Sequence, residues 1–151
     1  MTETAMDLDT LLAEREIYRA LVRIARAMDD RDWQALDSLL LADATADLGM
    51  GAIAGRHEIV AFIRTFLDAC GPTQHLLGNV LIEVDGDRAG SRCYVSDMHK
   101  GQAEKSHLTF STLGDYHDKW RKVEGGWRLS HRTKLNRAHL GDISVLGPGP
   151  G

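Results

Sequence analysis

After Pro72 the sequence is dominated by four long segments that have the composition of β-strands and are separated by short turns. Two of these turns, Asp85-Gly86-Asp87 and Glu124-Gly125-Gly126, contain the residues that tight hairpin connections favour. Long strands joined in this way pair with the next strand along the chain, so this half of the protein is predicted to form a curved antiparallel sheet. The predicted strands cover about residues 75–84, 88–99, 108–123 and 127–139.

Three helices are predicted before this sheet. Between Asp9 and Asp29, apolar residues recur at steps of three and four, the period of an amphipathic helix. Asp32 is the predicted N-cap of a short second helix, and Cys70-Gly71-Pro72 ends a third helix that opens after Gly55. The apolar positions assigned to the first helix are Leu12, Tyr18, Leu21, Val22, Ala25 and Met28.

The segment between the second and third helices is predicted to contain a short strand at residues 44–50 and a glycine-rich flap or hairpin at 49–55. The complete pattern indicates an α+β fold, with three N-terminal helices packed on a strongly curved, mostly antiparallel sheet that forms a cone with an internal pocket. Strand alternation places Thr112, Gly114 and Tyr116 on one face. We expect a single domain at residues 8–140, between a flexible N-terminus (1–7) and a flexible Gly/Pro tail (141–151).

Composition narrows the classes of partner. Eighteen basic and 22 acidic residues give a net charge of −4 that is spread along the chain, which argues against a nucleic-acid surface. No apolar run approaches the roughly 20 residues of a membrane span, and the N-terminus lacks a basic region ahead of an apolar one, so a cytoplasmic protein is expected. Cys70 and Cys93 fit neither a disulfide framework nor a metal site and are interpreted as buried thiols.

His75 and Asp29 are the residues that most suggest chemistry. Asp29 projects from the apolar face of the first helix, where a carboxylate needs a partner, and Asp32 is the better cap for the next helix. His75 stands at the head of a predicted strand. The alternative interpretations are structural: Asp29 could be an ordinary helix-end residue, and His75 a half-buried histidine bonded to backbone.

One ordered combination of motifs stands out: Ala27-Met28-Asp29-Asp30-Arg31-Asp32-Trp33, Gly55-Arg56-His57-Glu58-Ile59, His75 with Gly78-Asn79, Gly114-Asp115-Tyr116-His117-Asp118, and Gly125-Gly126-Trp127-Arg128-Leu129-Ser130-His131-Arg132. With these motifs the chain resembles, over residues 8–140, the SnoaL-like branch of the nuclear transport factor 2-like superfamily, which includes scytalone dehydratase, bile acid dehydratase and lindane dehydrochlorinase. That resemblance implies a cone with a pocket at its open end, assembled in dimers or trimers.

Carried over by position, the family's His–Asp pair falls on His75 and Asp29, and an arginine of its last strand falls on Arg132. The resemblance implies that this pair abstracts a proton without a metal or an organic cofactor. Enzymes of this group often carry a tyrosine or lysine shortly before the aspartate, where this chain has Ile24. A hydroxyl from Tyr116, Tyr94 or Tyr18 could act instead, and Tyr116 is preferred.

These residues predict a lyase. An imidazole with an ordinary pKa of about 6.5 is a usable base at neutral pH, and proton removal would drive elimination. Arg132 and Asn79 are expected to hold the negative charge that develops. The substrate is expected to be a small, hydrophobic, oxygenated aromatic or alicyclic compound, bound by Met28, Met50, Phe62, Phe66, Cys70, Tyr94 and Tyr116.

Other functions share these features. A ketosteroid-type isomerase or a polyketide cyclase would use the same base, and the fold also serves in non-catalytic modules such as the small subunit of ring-hydroxylating dioxygenases. The remaining histidines never form an i, i+4 pair with a third ligand, so no metal is predicted. The expected partners are the small hydrophobic substrate and further copies of the chain in a homodimer or homotrimer, with neither nucleic acid nor membrane.

Overall fold

The computed structural model of the protein describes residues 7–150. The predicted flexible N-terminal segment, residues 1–7, therefore lies outside the described residues except for Asp7. The side chain of Asp7 accepts a hydrogen bond from the backbone N–H of Thr10 at 2.8 Å and so caps the first helix. Asp7 was predicted to belong to the flexible segment, and the structure instead places it at the N-cap of the first helix.

Three helices form the first layer: α1 (Leu8–Asp29), α2 (Trp33–Leu39) and α3 (Arg56–Leu67). The predicted cap of α2 is confirmed, because Asp32 accepts a hydrogen bond from the backbone of Ala35 at 3.1 Å. The buried stripe of α1 runs through Ile17, Leu21, Ile24 and Met28. Two residues that were assigned to the buried face, Leu12 and Tyr18, are 52% and 50% exposed. Tyr18 directly follows Ile17 and is turned by about 100° from it.

The second layer is a six-stranded mixed sheet in the order β2-β1-β6-β5-β4-β3. Strand β1 pairs in parallel with β6, and all other neighbours are antiparallel. The predicted α+β architecture is confirmed, whereas the cone shape stays a prediction. The strands are β1 (Leu40–Asp47), β2 (Ala52–Ala54), β3 (Thr73–Asp85), β4 (Arg88–Lys100), β5 (Thr109–Val123) and β6 (Gly126–Gly141).

The first strand begins earlier than predicted, at Leu40, where the chain leaves α2 in extended conformation. It forms a hairpin with β2, as the glycine-rich bend suggested. Leu39 and Leu40 continue the apolar spacing of α2, so hydrophobic pattern alone could not separate a helix end from a buried strand.

The inner face of the sheet combines apolar and charged side chains. Residues alternate between the two faces along β4 and β5. Thr112, Gly114 and Tyr116 share one face as predicted, and the structure shows that this face is the buried one. Asp97, His99, Asp118 and Arg132 are each at most 6% exposed on the same face. Burial of so many ionisable groups requires partners, and these partners are found across neighbouring strands.

The tail beyond β6 packs on the domain through residue 147, which corrects the prediction that it is flexible from residue 141. A short 3-10 turn, Ile143–Val145, is capped by Asp142, and Val145 is 2% exposed. The backbone N–H of Gly147 donates to the Phe66 carbonyl at 3.0 Å. The Gly/Pro composition from residue 147 onward conceals the backbone contact of Gly147, whereas Val145 and Leu146 are apolar residues that could have indicated packing.

Two further observations concern predictions from composition. Both cysteines are buried and unpaired, as predicted, and burial raises the pKa of Cys93 to about 11. Among residues 7–150, no helix has both the length and the apolar character needed to cross a membrane.

Candidate active site

The end of α1 and the start of β3 bring Asp29 and His75 into direct contact. The ring Nδ1 of His75 lies 2.7 Å from Asp29 Oδ1, and the backbone N–H of His75 donates to Asp29 Oδ2 at 3.0 Å. Burial alone would raise the pKa of Asp29, but the hydrogen bonds from His75 and Thr73 outweigh it and hold this pKa below its ordinary value. An ionised carboxylate only accepts, so Nδ1 of His75 carries a proton, and in the neutral form of the ring Nε2 keeps a free lone pair.

Arg31 and Thr73 support this pair, and sequence reasoning identified neither. The hydroxyl of Thr73 donates to Asp29 Oδ1 at 2.9 Å and accepts from Arg31 Nη1 at 2.8 Å. Arg31 also donates to the carbonyls of Met28, Leu67 and Gly71. It thereby joins the ends of α1 and α3 to the start of β3. Arg31 adopts a positive φ of 56°, and nothing in its local sequence signals this role.

His75 opens into a cavity of about 320 Å³ between the sheet and the helices. Five of the residues predicted to bind substrate line it, namely Met28, Met50, Phe62, Phe66 and Tyr116, and Arg132 lines it as well. One side of the cavity is apolar and the sheet side is polar, which suits a small compound with a hydrocarbon body and a few oxygens. The remaining lining residues are Leu48, Gly49, Ile63, Leu67, Asp97, His99, Phe110, Thr112, Lys134, Asn136, His139, Ile143 and Leu146.

Lys134 forms a buried network on the polar wall that was not predicted. Its Nζ donates to Asp97 Oδ2 at 2.8 Å and to Thr112 Oγ1 at 3.1 Å. Asp97 also accepts from the backbone N–H and the hydroxyl of Thr112. Burial would raise the pKa of Asp97, but Lys134 and Thr112 hold it below its ordinary value. The sequence contains a signal for this position of Lys134, because Lys134 and Asn136 follow Arg132 at steps of two residues, the period that places strand residues on the same face.

His99 lies beside this network. Its Nδ1 is 3.0 Å from the carbonyl of Phe110, an acceptor, so the proton sits on Nδ1. Burial lowers the pKa of His99 below its ordinary value, against the opposing effect of Asp97. The rings of His75 and His99 meet edge to face, with their centroids 5.7 Å apart. Two imidazole rings thus stand next to each other in the cavity wall.

His75, Asp97 and His99 also have the spacing of a metal site, because one ligand atom from each lies within 4.8 Å of the others. The sequence prediction of no metal considered only histidine spacing along the chain, and this cluster is assembled from neighbouring strands. Its chemistry fits a cation poorly. Asp97 already accepts three hydrogen bonds, one of them from the ammonium of Lys134, which would repel a metal ion. The absence of a metal stays a prediction.

Arg132 lines the cavity but is held by Asp118. Its Nε and Nη2 donate to the two oxygens of Asp118 at 2.9 and 2.8 Å, and the guanidinium carbon lies 3.7 Å from the ring centre of Tyr116. Burial lowers the pKa of Arg132, but the ion pair with Asp118 outweighs burial and raises it above the ordinary value. Burial also raises the pKa of Tyr116, so its hydroxyl stays protonated.

The structure places Asn79, Tyr94 and Cys70 outside this cavity, which corrects their expected positions. Asn79 is exposed and has a positive φ of 51° at a bulge in β3, so it does not share the face of His75. Tyr94 is 45% exposed on the outer face, because Cys93 and Val95 point inward. Cys70 is buried, with its Sγ 3.4 Å from the carbonyls of Phe66 and Val145.

The residues whose pKa values are shifted predict how the stability of the fold depends on pH. In the folded protein the pKa of His99 lies below its ordinary value of 6.5. As the pH falls below 6.5, the unfolded chain therefore binds this proton more readily than the folded protein, and the free energy of unfolding decreases. The folded pKa values of Asp29 and Asp97 lie below 3.8, so their contribution is present above that value and lost under it. We expect the free energy of unfolding, measured with urea, to decline in two steps as the pH is lowered. His99→Gln should remove the upper step, and an unchanged upper step in that variant would contradict this assignment.

The SnoaL-like domain family matches residues 9–133. The chain belongs to the SnoaL-like family. A relative of this chain is an uncharacterised protein of Mycobacterium tuberculosis, which is 31% identical over 121 residues, a stretch that covers 79% of this chain and 82% of that protein. Membership confirms the resemblance that the ordered motifs indicated.

Solved structures resemble this SnoaL-like chain closely in fold. A protein of Novosphingobium aromaticivorans, provisionally named a scytalone dehydratase, superimposes with a TM-score of 0.75 and 23% identity over 86% of this chain and 87% of that one. A hexachlorocyclohexane dehydrochlorinase of type 2 gives a TM-score of 0.81 and 19% identity over 97% and 99%. At these identities the likeness establishes the fold alone.

Proposed function

We propose that the protein is a cofactor-independent lyase, in which His75 removes a proton from a small, hydrophobic, oxygenated aromatic or alicyclic substrate and a leaving group such as water departs. One observation carries the proposal: Asp29 Oδ1 lies 2.7 Å from Nδ1 of His75 and fixes the ring, so that Nε2 of His75 is available to a cavity of about 320 Å³. Asp29 would stabilise the imidazolium that forms. Structural neighbours named as a dehydratase and a dehydrochlorinase support elimination chemistry.

Proton abstraction can be tested without knowing the substrate. A panel of hydroxylated alicyclic and aromatic ketones would be incubated with the protein in D₂O and followed by proton NMR. We expect exchange of the proton next to the carbonyl, and, for compounds with a suitable leaving group, formation of an alkene. Exchange that shifts the double bond without loss of a group would favour the isomerase alternative. Compounds that bind but never exchange their proton would contradict the base role of His75.

We also propose that the protein assembles as a homodimer or homotrimer through the outer face of its sheet. Four large apolar side chains are exposed there on neighbouring strands: Leu76 (63%), Met98 (46%), Leu113 (45%) and Leu140 (65%). Exposed apolar clusters of this kind commonly mark protein contacts. Light scattering after size-exclusion chromatography should give a mass above one chain, and Leu113→Glu should lower it. A monomeric wild-type protein would contradict the proposal.

A further inference from the structure

A base that removes a proton next to a carbonyl needs a partner that stabilises the negative charge on the carbonyl oxygen. Ile24, at the position where related enzymes often carry a tyrosine or lysine, cannot supply one, because it is apolar and 2% exposed in the core. Arg132 donates from Nε and Nη2 to both oxygens of Asp118, so this edge of its guanidinium is not available to a ligand oxygen. Tyr116 offers only a neutral hydroxyl. The described part of the chain holds one further cationic group in the cavity wall, Lys134.

Lys134 has the contacts of an oriented donor. Two of its three N–H bonds point at Asp97 Oδ2 and Thr112 Oγ1, at 2.8 and 3.1 Å, and the third is left for a ligand oxygen. Its side chain is 16% exposed while that of Asp97 is fully buried, so the carboxylate anchors the ammonium from the protein side. The stem of Lys134 is thereby held in one direction instead of reaching into solvent.

Asp97 also ties this ammonium to the proposed base. The ligand atoms of Asp97, His75 and His99 lie within 4.8 Å of one another, so Lys134 contacts a carboxylate that borders both imidazoles. A carbonyl compound in the cavity can therefore place its oxygen toward Lys134 and its neighbouring C–H bond toward the Nε2 of His75. Phe62, Phe66 and Met28 provide the apolar wall for the remainder of the molecule.

We propose that Lys134 is the electrophilic group of this site, and that its ammonium binds the substrate's carbonyl oxygen and stabilises the enolate formed by proton removal. This inference rests on the proposed function. His75 Nε2 takes the proton, and the C–H electron pair becomes the C=C bond of the enolate, whose oxygen accepts the hydrogen bond from Lys134. The carbonyl then re-forms, the β C–O bond breaks, and the imidazolium proton goes to the departing oxygen. The products are one alkene and one water, without oxidation or reduction.

The test uses substituted nitrophenols, whose phenolate imitates an enolate oxygen and differs in colour from the phenol. We expect the wild-type protein to bind the phenolate in preference to the phenol. Lys134→Met should lower the ratio of bound phenolate to bound phenol about 10-fold or more, since a cation beside an anionic oxygen commonly shifts its pKa by about one to three units. Lys134→Arg keeps the charge and should keep most of that preference.

Controls separate this proposal from loss of folding and from the base. Lys119→Met removes an exposed lysine of the outer face and should change nothing. Because Lys134→Met leaves Asp97 unpaired, the double variant Asp97→Asn/Lys134→Met removes both charges and should also lose the phenolate. His75→Ala should retain phenolate binding even if turnover fails, which keeps the two proposals distinguishable. Loss of phenolate in His75→Ala but not in Lys134→Met, or no phenol binding by the wild-type protein, would overturn the proposal.

Discussion

Replacement of His75 by alanine is expected to lower substrate turnover by about 10²- to 10⁴-fold, the usual contribution of a positioned general base. The fold should survive, because Asp29 would keep its hydrogen bonds from the hydroxyl of Thr73 and from the backbone N–H of residue 75. Turnover would be measured on whichever compound of the ketone panel shows proton exchange, and the thermal midpoint would be recorded in parallel.

Asp29→Asn should reduce turnover to a similar extent through a different cause. A carboxylate accepts the Nδ1 proton, whereas an amide would present either an N–H group or one oxygen to the ring. With an N–H group toward Nδ1, the proton moves to Nε2 and the free lone pair of the base is lost. Nitrogen chemical shifts of the His75 ring would show this change directly.

His117→Ala is the matched control, because His117 is exposed on the opposite face of the sheet. It should leave turnover unchanged. If His75→Ala kept full turnover with an unchanged thermal midpoint, His75 would not be the base. If His75→Ala or Asp29→Asn failed to fold, the replaced residue would be structural, which is the alternative interpretation of the sequence.

The second large effect concerns stability. Asp118→Ala is expected to lower the free energy of unfolding by about 3–5 kcal/mol, because removal of one partner leaves a buried charge unpaired. The side chain of Arg132 is 8% exposed and that of Asp118 is fully buried. Urea unfolding at neutral pH would measure the change.

A double variant tests that explanation. Asp118→Leu/Arg132→Met replaces both charges by apolar groups and should recover most of the lost stability, since such replacements are often neutral or stabilising. Asp115→Ala breaks the exposed ion pair with Arg137 and should have little effect. A loss of less than about 1 kcal/mol in Asp118→Ala would contradict the explanation by an unpaired buried charge.

The sequence was informative where a periodic pattern coincides with one element. The long strands begin and end within a few residues of their predicted bounds, because alternation and turn residues are local signals. The order of motifs also identified the family. The resemblance pairs His75 with Asp29, and counting along the strand places Thr112 and Tyr116 on one face of the sheet.

Local patterns failed where the chain departs from regular period or where contacts join distant segments. The bulge at Asn79 reverses which side chains face inward, and no residue upstream announces it. The tail at Gly147 packs through its backbone, which composition does not reveal. The role of Arg31 has no local signal, because the partners that join it to α3 and β3 lie about 40 residues away in sequence.

Sequence by itself thus determined the α+β class, the helix and strand order, the family and the residues of the proposed base. Tertiary structure alone decided what surrounds that base. It paired Arg132 with Asp118, placed His99 beside His75, and brought Lys134 to Asp97 across three strands. The physical reason is that a hydrophobic period fixes which face a side chain occupies, while its partner depends on the register of neighbouring strands.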